Sequence, residues 1–468
     1  MQLNHQETRT QKSATQQHKR IALALAHASV FLLGATQSHA ATTENSAAST
    51  QPESGFNWSQ IVEHGWLVDS AVMLYQEADN RVQATEPSVR VQKDFGDQRI
   101  FTGKLVIDSL TGASPNGATS ASVPQTFTSA SGNNSYTTPA GELPLDTEFK
   151  DTRVALSANW QQPVAQDLTL NVGGNLSKEY DFMSAGASAS LAKDFNQNNT
   201  TLSAGLSFEL DQIDPVGGAP KPLTSMFSQQ KDGSDNKTVT DVLLGVTQVL
   251  NRHAVLQLNY SASMMSGYQS DPYKVLSAVD ASGNLLTEPT APNRGVYLFE
   301  SRPDSRTRHS IYSGLKYGFD RGDVLETSYR FTSDDWGIQS HTLDAKYRYH
   351  FADQRYYVEP HLRYYSQNAA DFYHSYLQQG REVNVSASGV QALVEHASAD
   401  SRLGAFDAVT YGVKFGMQLP KDRELTLRVE QYEQQAQDVK TIGGQLSNQI
   451  LQPDLSATWV QLGYQFKW

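Results

Sequence analysis

The densest group of residues able to do chemistry lies between positions 305 and 366. Segments there alternate large and polar side chains with a period of two, which on a β-strand sends successive side chains to opposite faces. In "HTLDAKYRYHF" (341–351), Leu343, Ala345, Tyr347, Tyr349 and Phe351 share one face, and Asp344, Lys346, Arg348 and His350 share the other. The same alternation puts Arg306, Arg308, Lys316, Glu326, Arg330, Glu359, His361 and Arg363 on the polar face of neighbouring segments. Basic groups outnumber acidic ones in this set. Arg and Lys lining a narrow polar space attract anions. Alternatively, Asp344 or Glu359 pairs with Arg348 or Arg363 across adjacent strands and braces the wall. The two roles are compatible.

Arrangements suited to catalysis are poorer. His309 and Ser310 are adjacent, so on a strand they face opposite ways and cannot form a hydrogen-bonded dyad. Asp334 and Asp335, with Asp304, Asp371 and His374 near the same rim, imitate an acidic hydrolase site, yet loop carboxylates are ordinarily just solvated. "KDGSDNK" (231–237) lacks the ligand count and closing Glu of a calcium loop. No Gly-rich turn joins a strand to a helix, so no nucleotide site is expected. The absence of cysteine excludes disulfides, thiolate metal sites and iron–sulfur clusters. The expectation is a protein without catalytic residues, metal or cofactor.

The elements that must carry these residues are strands. They are expected near 66–77, 87–95, 99–110, 149–161, 167–178, 183–194, 200–212, 237–250, 254–267, 305–319, 323–333, 341–351, 355–366, 404–419, 423–434 and 456–468. Connections such as "DFGDQR", "DFNQNN", "FADQR" and "LPKDR" are short and rich in Asp, Asn and Gly, the chemistry of tight turns. On the other side lie long segments, 111–148, 213–236, 268–304 and 367–403, of which the Ser/Thr/Gly-rich 111–140 reads as a mobile loop. Aromatics gather beside the short turns (Phe95, Phe195, Phe319, Phe351 and Trp468), where an interfacial girdle belongs. Tyr347 is expected to face mid-membrane lipid. Only 38% of the 468 residues are hydrophobic, which suits a chain whose lipid-facing and lumen-facing positions alternate. The fold class expected is all-β: a transmembrane antiparallel β-barrel of about sixteen strands, with short periplasmic turns and long extracellular loops.

The amino-terminal stretch fits this destination. "HKRIALALAHASVFLLGATQSHAATTEN" has a basic approach, an apolar run from Ile21 to Leu33 and small residues before Ala40, the pattern of a cleaved signal peptide over 1–40. Residues 41–64 form a polar leader with one short helical turn, and 65–468 form the barrel. The chain closes on "VQLGYQFKW". Here Gln461, Gly463, Phe466 and Trp468 resemble the terminal signal by which barrel-assembly machinery recognises its clients. Outer-membrane lipid and that machinery are the expected partners, with periplasmic or envelope proteins as further candidates. The net charge of −12 argues against nucleic acid.

Several blocks carry a family resemblance: "VDSAVMLYQEADNRVQATEP", "LVIDSLTGASPNGA", "SRPDSRTRHSIY", "DDWGIQSHTLDAKYRYHF" and "VEPHLRYYSQNAADFY". They resemble an uncharacterised Gram-negative family, domain of unknown function 3570, across Trp66 to Trp468. The resemblance implies an outer-membrane barrel and no assigned catalytic residue. The function expected is a pore or conduit for a solute or exported molecule. A plugged barrel that docks other envelope proteins is the alternative, and an outer-membrane hydrolase the third reading.

Overall fold

A computed structural model of the chain describes residues 65–129, 135–228, 230–437 and 442–468. The signal peptide and leader expected over 1–64 lie outside the described residues. Sixteen strands close into one barrel: β1 (Trp66–Glu77), β2 (Val82–Asp94), β3 (Ile100–Pro115), β4 (Leu145–Ala165), β5 (Leu168–Lys178), β6 (Phe182–Phe195), β7 (Thr200–Ile213), β8 (Asp235–Val249), β9 (Ala254–Gly267), β10 (Ser305–Gly318), β11 (Val324–Asp334), β12 (Gln339–Phe351), β13 (Tyr356–Gln367), β14 (Phe406–Leu419), β15 (Arg423–Ala436) and β16 (Leu455–Lys467). Each pairs antiparallel with its neighbours in chain order, and β16 pairs with β1. At that seam Trp66 and Trp468 exchange both backbone hydrogen bonds, each 2.8 Å. The seam therefore leaves no unpaired edge, the form in which strands cross a bilayer.

The expected strands are all present, and the differences are at their ends. β2 begins at Val82 rather than 87: Pro87, which has no N–H, interrupts the ladder to β3, but pairing continues in the same register on both sides, Thr85 with Ser109 and Ser88 with Val106. β3 and β4 run well past the expected limits toward the loop side. At the opposite end, tight turns place Asp97, Gln98, Asp353 and Gln354 at positive φ, a conformation that short polar side chains tolerate best.

The outer face is apolar. Leu362 is 56% exposed and Leu462 54%, values that in water would be a liability and in lipid are burial. Phe95, Phe195, Phe319, Phe351 and Trp468 are exposed beside the short turns, forming one girdle. A second girdle lies toward the loops on β9–β15. Tyr260 and Tyr329 share hydrogen bonds of 2.9 and 2.8 Å with His309 and His341, while Tyr364 and Tyr411 donate to Asp407 and Glu433 at 2.8 and 2.9 Å. Tyr347 belongs to the first girdle and not to the mid-membrane zone. Its hydroxyl donates to Asp323 of the β10–β11 turn at 3.1 Å, and its ring meets Phe319 edge-on.

The long connections fold on one another. Residues 275–279, 297–299 and 377–378 make a three-stranded sheet, and a hairpin joins 125–128 to 135–138. Leu276, Ala278, Val296, Leu298, Leu377 and Val383 form its fully buried core. Ala118 and Phe127 pack with Val275, Tyr297 and Phe299 in an adjoining cluster. Residues 116–129 and 135–144 are thus part of a folded assembly, which corrects the expectation of a mobile loop. Apolar side chains interspersed among the Ser and Thr supply what the composition hides.

Candidate functional site: the lumen and its cap

All the polar-face residues expected from the alternation point into the barrel. On β10–β13 they are joined in pairs. Lys316 meets Glu326 at 2.5 Å, Arg306 meets Asp334 at 2.6 Å, and Arg348 Nε donates to Glu359 at 2.6 Å while its guanidinium lies 4.4 Å over the Tyr357 ring. Arg330 lies 5.4 Å over the Tyr312 ring. Arg308 stands opposite Asp334 and Arg363 opposite Asp344 in strand register, and Lys346 lies between Glu326 and His361. Asp334 is thereby committed to Arg306 and to the amides of Trp336 and Ile338, and His309 faces outward while Ser310 faces inward.

His361 holds two carboxylates at once, Asp344 at 2.8 Å from Nε2 and Glu430 at 2.9 Å from Nδ1. A neutral imidazole has one N–H, so the doubly bonded arrangement needs one further proton on the ring or on a carboxyl. Glu430 lies on β15, beyond β14. His361 reaches it because Gly412, its register partner, has no side chain: a Cβ there would come 2.4 Å from Glu430 Cγ. Arg428, Glu430 and Lys414 on β14–β15 extend the charged wall beyond the residues named from sequence.

The facing wall differs. In a ring of sixteen, β12–β15 lie opposite β4–β7. There most inward positions are small and polar, among them Asn171, Asn175, Ser184, Ser190, Thr201 and Ser203, and the inward charges of β7 are the carboxylates Glu209 and Asp211. Gly186 keeps space for Asn175, whose Oδ1 would lie 2.5 Å from a Cβ at 186, and Asn175 in turn donates to Glu209 at 3.1 Å. A second charge group, Arg153 with Asp108 at 2.7 Å and Arg90 and Lys104 beside it, sits on β2–β4. Sequence reasoning missed it, although "SVRVQKD" and "FTGKLVIDS" show the same alternation.

Lumen residues such as Arg90, Lys104, Asp344, Lys346 and Arg363 are half-buried, Asp108, Glu359, Lys414 and Glu430 beside them are buried, and at the loop end Glu77, Phe149, Phe182, Lys237, Arg306 and Phe406 are buried as well. Over that end lies the cap. Lys274, between β9 and β10, donates to the Pro115 carbonyl on β3 at 2.6 Å, and Val275 N–H bonds to Asn116 at 2.9 Å. Leu446, between β15 and β16, bonds to Gly283 at 3.2 Å, and Leu285 to Gln445 at 2.8 Å. These connections arise six strands apart around the ring, so the contacts must cross the mouth.

A buried ionic cluster ties the β9–β10 and β13–β14 connections together. Arg302 meets Glu300 at 2.7 Å and Asp400 at 2.7 Å, and Arg402 bonds to Asp400 and to Asp271. Burial pushes the Glu300 carboxyl upward, whereas the surrounding guanidiniums and Lys274 hold Asp400 well below the usual carboxylate range despite its burial. At the rim, burial raises Glu179 to about 8 and Asp181 to about 6. Both acids hold protons more tightly folded than unfolded. Their contribution to stability is therefore greatest in mild acid and declines as pH rises from about 4 through those raised values. Thermal unfolding should show a higher midpoint at pH 5 than at pH 8, and Glu179→Gln should reduce that difference. An identical pH slope in the variant would remove Glu179 from the account.

Several solved structures share the general shape. The chain superposes on "Bacterial polysaccharide outer membrane secretin" with TM-score 0.42 and 8% identity over 87% of this chain and 99% of that one. CdiB from Acinetobacter baumannii gives TM-score 0.41 and 6% identity over 86% and 60%. The siderophore receptor PirA from Acinetobacter baumannii gives 0.37 and 10% over 80% and 53%, so this chain spans about half of that receptor. Likeness this distant carries nothing about activity. No curated protein matches the sequence. The family is secure: a profile matches residues 22–466, and the chain belongs to the family described as "Protein of unknown function (DUF3570)".

Proposed function

We propose that the protein is an outer-membrane conduit with an anion-attracting lumen, closed on its loop side by a folded cap, and that it has no catalytic role. The observation that carries this reading is the set of charged side chains at mid-height, Arg90, Lys104, Asp344, Lys346 and Arg363, that stay half-buried inside the ring while the loops join across its mouth. A barrel of sixteen strands is too wide for side chains to fill, so a polar interior of this kind holds water. On β10–β15 cations outnumber carboxylates even after the ion pairs are counted, β2–β4 is close to balanced, and β7–β8 carries Glu209, Asp211 and Asp241 against Lys237, so the positive surplus belongs to the β10–β15 wall. The surplus focuses positive potential in a confined space.

The test is conductance of the refolded full chain in planar bilayers. Arg330→Gln with Arg363→Gln should move the reversal potential toward cation preference, most at low salt where screening is weak. An unmoved reversal potential in a conducting barrel would sink the anion preference. The cap equally favours a second reading, a docking barrel whose folded loops present a surface to other envelope proteins. Silence of the barrel even after the cap is loosened would favour that reading.

Assembly belongs to the same proposal. The Trp66–Trp468 exchange closes the seam, and Phe466 and Trp468 face outward at its end while Gln461 and Gly463 face the lumen. Phe466→Ala with Trp468→Ala should lower the amount of folded barrel in outer-membrane fractions several-fold. Undiminished levels would show that the assembly machinery does not read this strand.

A further inference from the structure

The β13–β14 and β15–β16 connections line an open cleft of about 360 Å³ on the loop side. Its lining is distinctive: Tyr373, His374, Tyr376, Gln378, Arg381 and Gln452 supply rings, amides and an imidazole, with almost no aliphatic surface. Gln452 is occupied structurally, accepting from the Tyr373 hydroxyl at 3.3 Å and donating to the Ala405 carbonyl at 3.2 Å. Other groups are left over. Neither ring nitrogen of His374 has a hydrogen-bond partner among the described residues, and the Gln378 side-chain amide uses only its oxygen, accepting from Arg381 at 3.3 Å. The His374 ring nitrogens and the Gln378 amide nitrogen are therefore available to a ligand that enters the cavity.

The charge state narrows the ligand. Burial lowers the His374 pKa, so the ring is neutral at pH 7 and offers one donor and one acceptor. Burial pushes Tyr373 up to about 12, so it too is neutral. Arg381 is offset by Glu382 at 4.0 Å, leaving no net attraction for an ion of either sign. A ligand that matches these features has hydroxyls that both donate and accept, a C–H face to lie on tyrosine rings, and no charge. The volume suits one or two such rings.

We propose that this cavity binds a neutral saccharide of one or two units, with His374 and Gln378 bonding its hydroxyls and Tyr376 covering a ring face. The purified full chain in detergent micelles is titrated calorimetrically with maltose, cellobiose and N,N′-diacetylchitobiose, and with glycine betaine as a zwitterionic control. At least one disaccharide should give a saturable isotherm. His374→Ala and Gln378→Ala should each weaken it at least tenfold while the thermal midpoint stays within a degree or two of wild type. If His374→Ala fails to fold, Gln378→Ala, which keeps the backbone pairing with Val279 and removes a side-chain bond to exposed Arg381, serves alone. No saturable heat from any of the sugars would overturn the proposal. So would sugar binding indifferent to both variants, or binding of the betaine in their place.

Discussion

Arg302→Met should loosen the cap and raise the open probability of the barrel severalfold. The side chain is buried between Glu300 and Asp400, at 2.7 Å from each. Asp400 keeps Arg402, but Glu300 loses the guanidinium bonded to it and keeps the Asp271 amide and the Ser398 hydroxyl. Stranding one member of a buried ion pair costs about 3–5 kcal/mol, several times what an exposed pair contributes. The sign of the pH effect follows from Glu300, whose carboxyl already sits above its ordinary range because of burial. Acid that protonates it removes the stranded charge, so the variant should recover toward wild type as pH falls. Arg302→Met with Glu300→Gln should recover at neutral pH for the same reason. Open probability that is unchanged in the single variant, or that the second change does not restore, would show that this cluster does not hold the cap shut.

The cap is also what the sequence conceals best. Strands declare themselves through local alternation: Tyr347, Tyr349 and Phe351 against Lys346, Arg348 and His350 need no knowledge of the rest of the chain. The cap has no such period. Its central pieces are runs of three to five residues, Val275–Val279 and Tyr297–Phe299, apolar on both faces because both are covered, and too short to separate from a loop containing a few hydrophobic residues. What makes them structure is pairing with Leu377–Gln378, which no local pattern announces. The ionic cluster is hidden for the same reason, since Arg302 and Asp400 stand 98 positions apart.

The lumen was partly legible. Alternation assigns each charged residue to the inner face, and register would have suggested Arg348 with Glu359 as neighbours. It could not have given the His361–Glu430 contact, which skips a strand. That contact depends on Gly412 lacking a side chain, and a glycine in a strand carries no direction of its own. Tyr347 shows the converse error. Its place in the alternation is correct, but height along the strand is set by the turn to which its hydroxyl bonds, and that turn belongs to a different hairpin.

That correction selects the sharper probe of the membrane-facing surface. Leu362 lies opposite Ala345 and Tyr411 in register, on the short-turn side of the Tyr411 hydroxyl that bonds to Glu433, and is 56% exposed on the outer face. Leu362→Arg puts a charge against hydrocarbon near mid-membrane, where it costs about 2–4 kcal/mol. Arginine at Tyr347, close to the headgroups, should cost about 1 kcal/mol or less by the same depth dependence. Lys346→Gln, on the inner face at nearly the same height as Leu362, removes a charge that water and neighbouring carboxylates already solvate and should change stability least. Reversible unfolding in lipid vesicles should therefore rank the three as Leu362→Arg far below Tyr347→Arg, with Lys346→Gln near wild type. The ranking separates depth from identity, because two of the substitutions introduce the same side chain on the same face of one hairpin. Equal losses for the two arginines would mean that the girdle does not mark the boundary of the hydrocarbon, and a large loss for Lys346→Gln would mean that the inner wall is packed rather than wet.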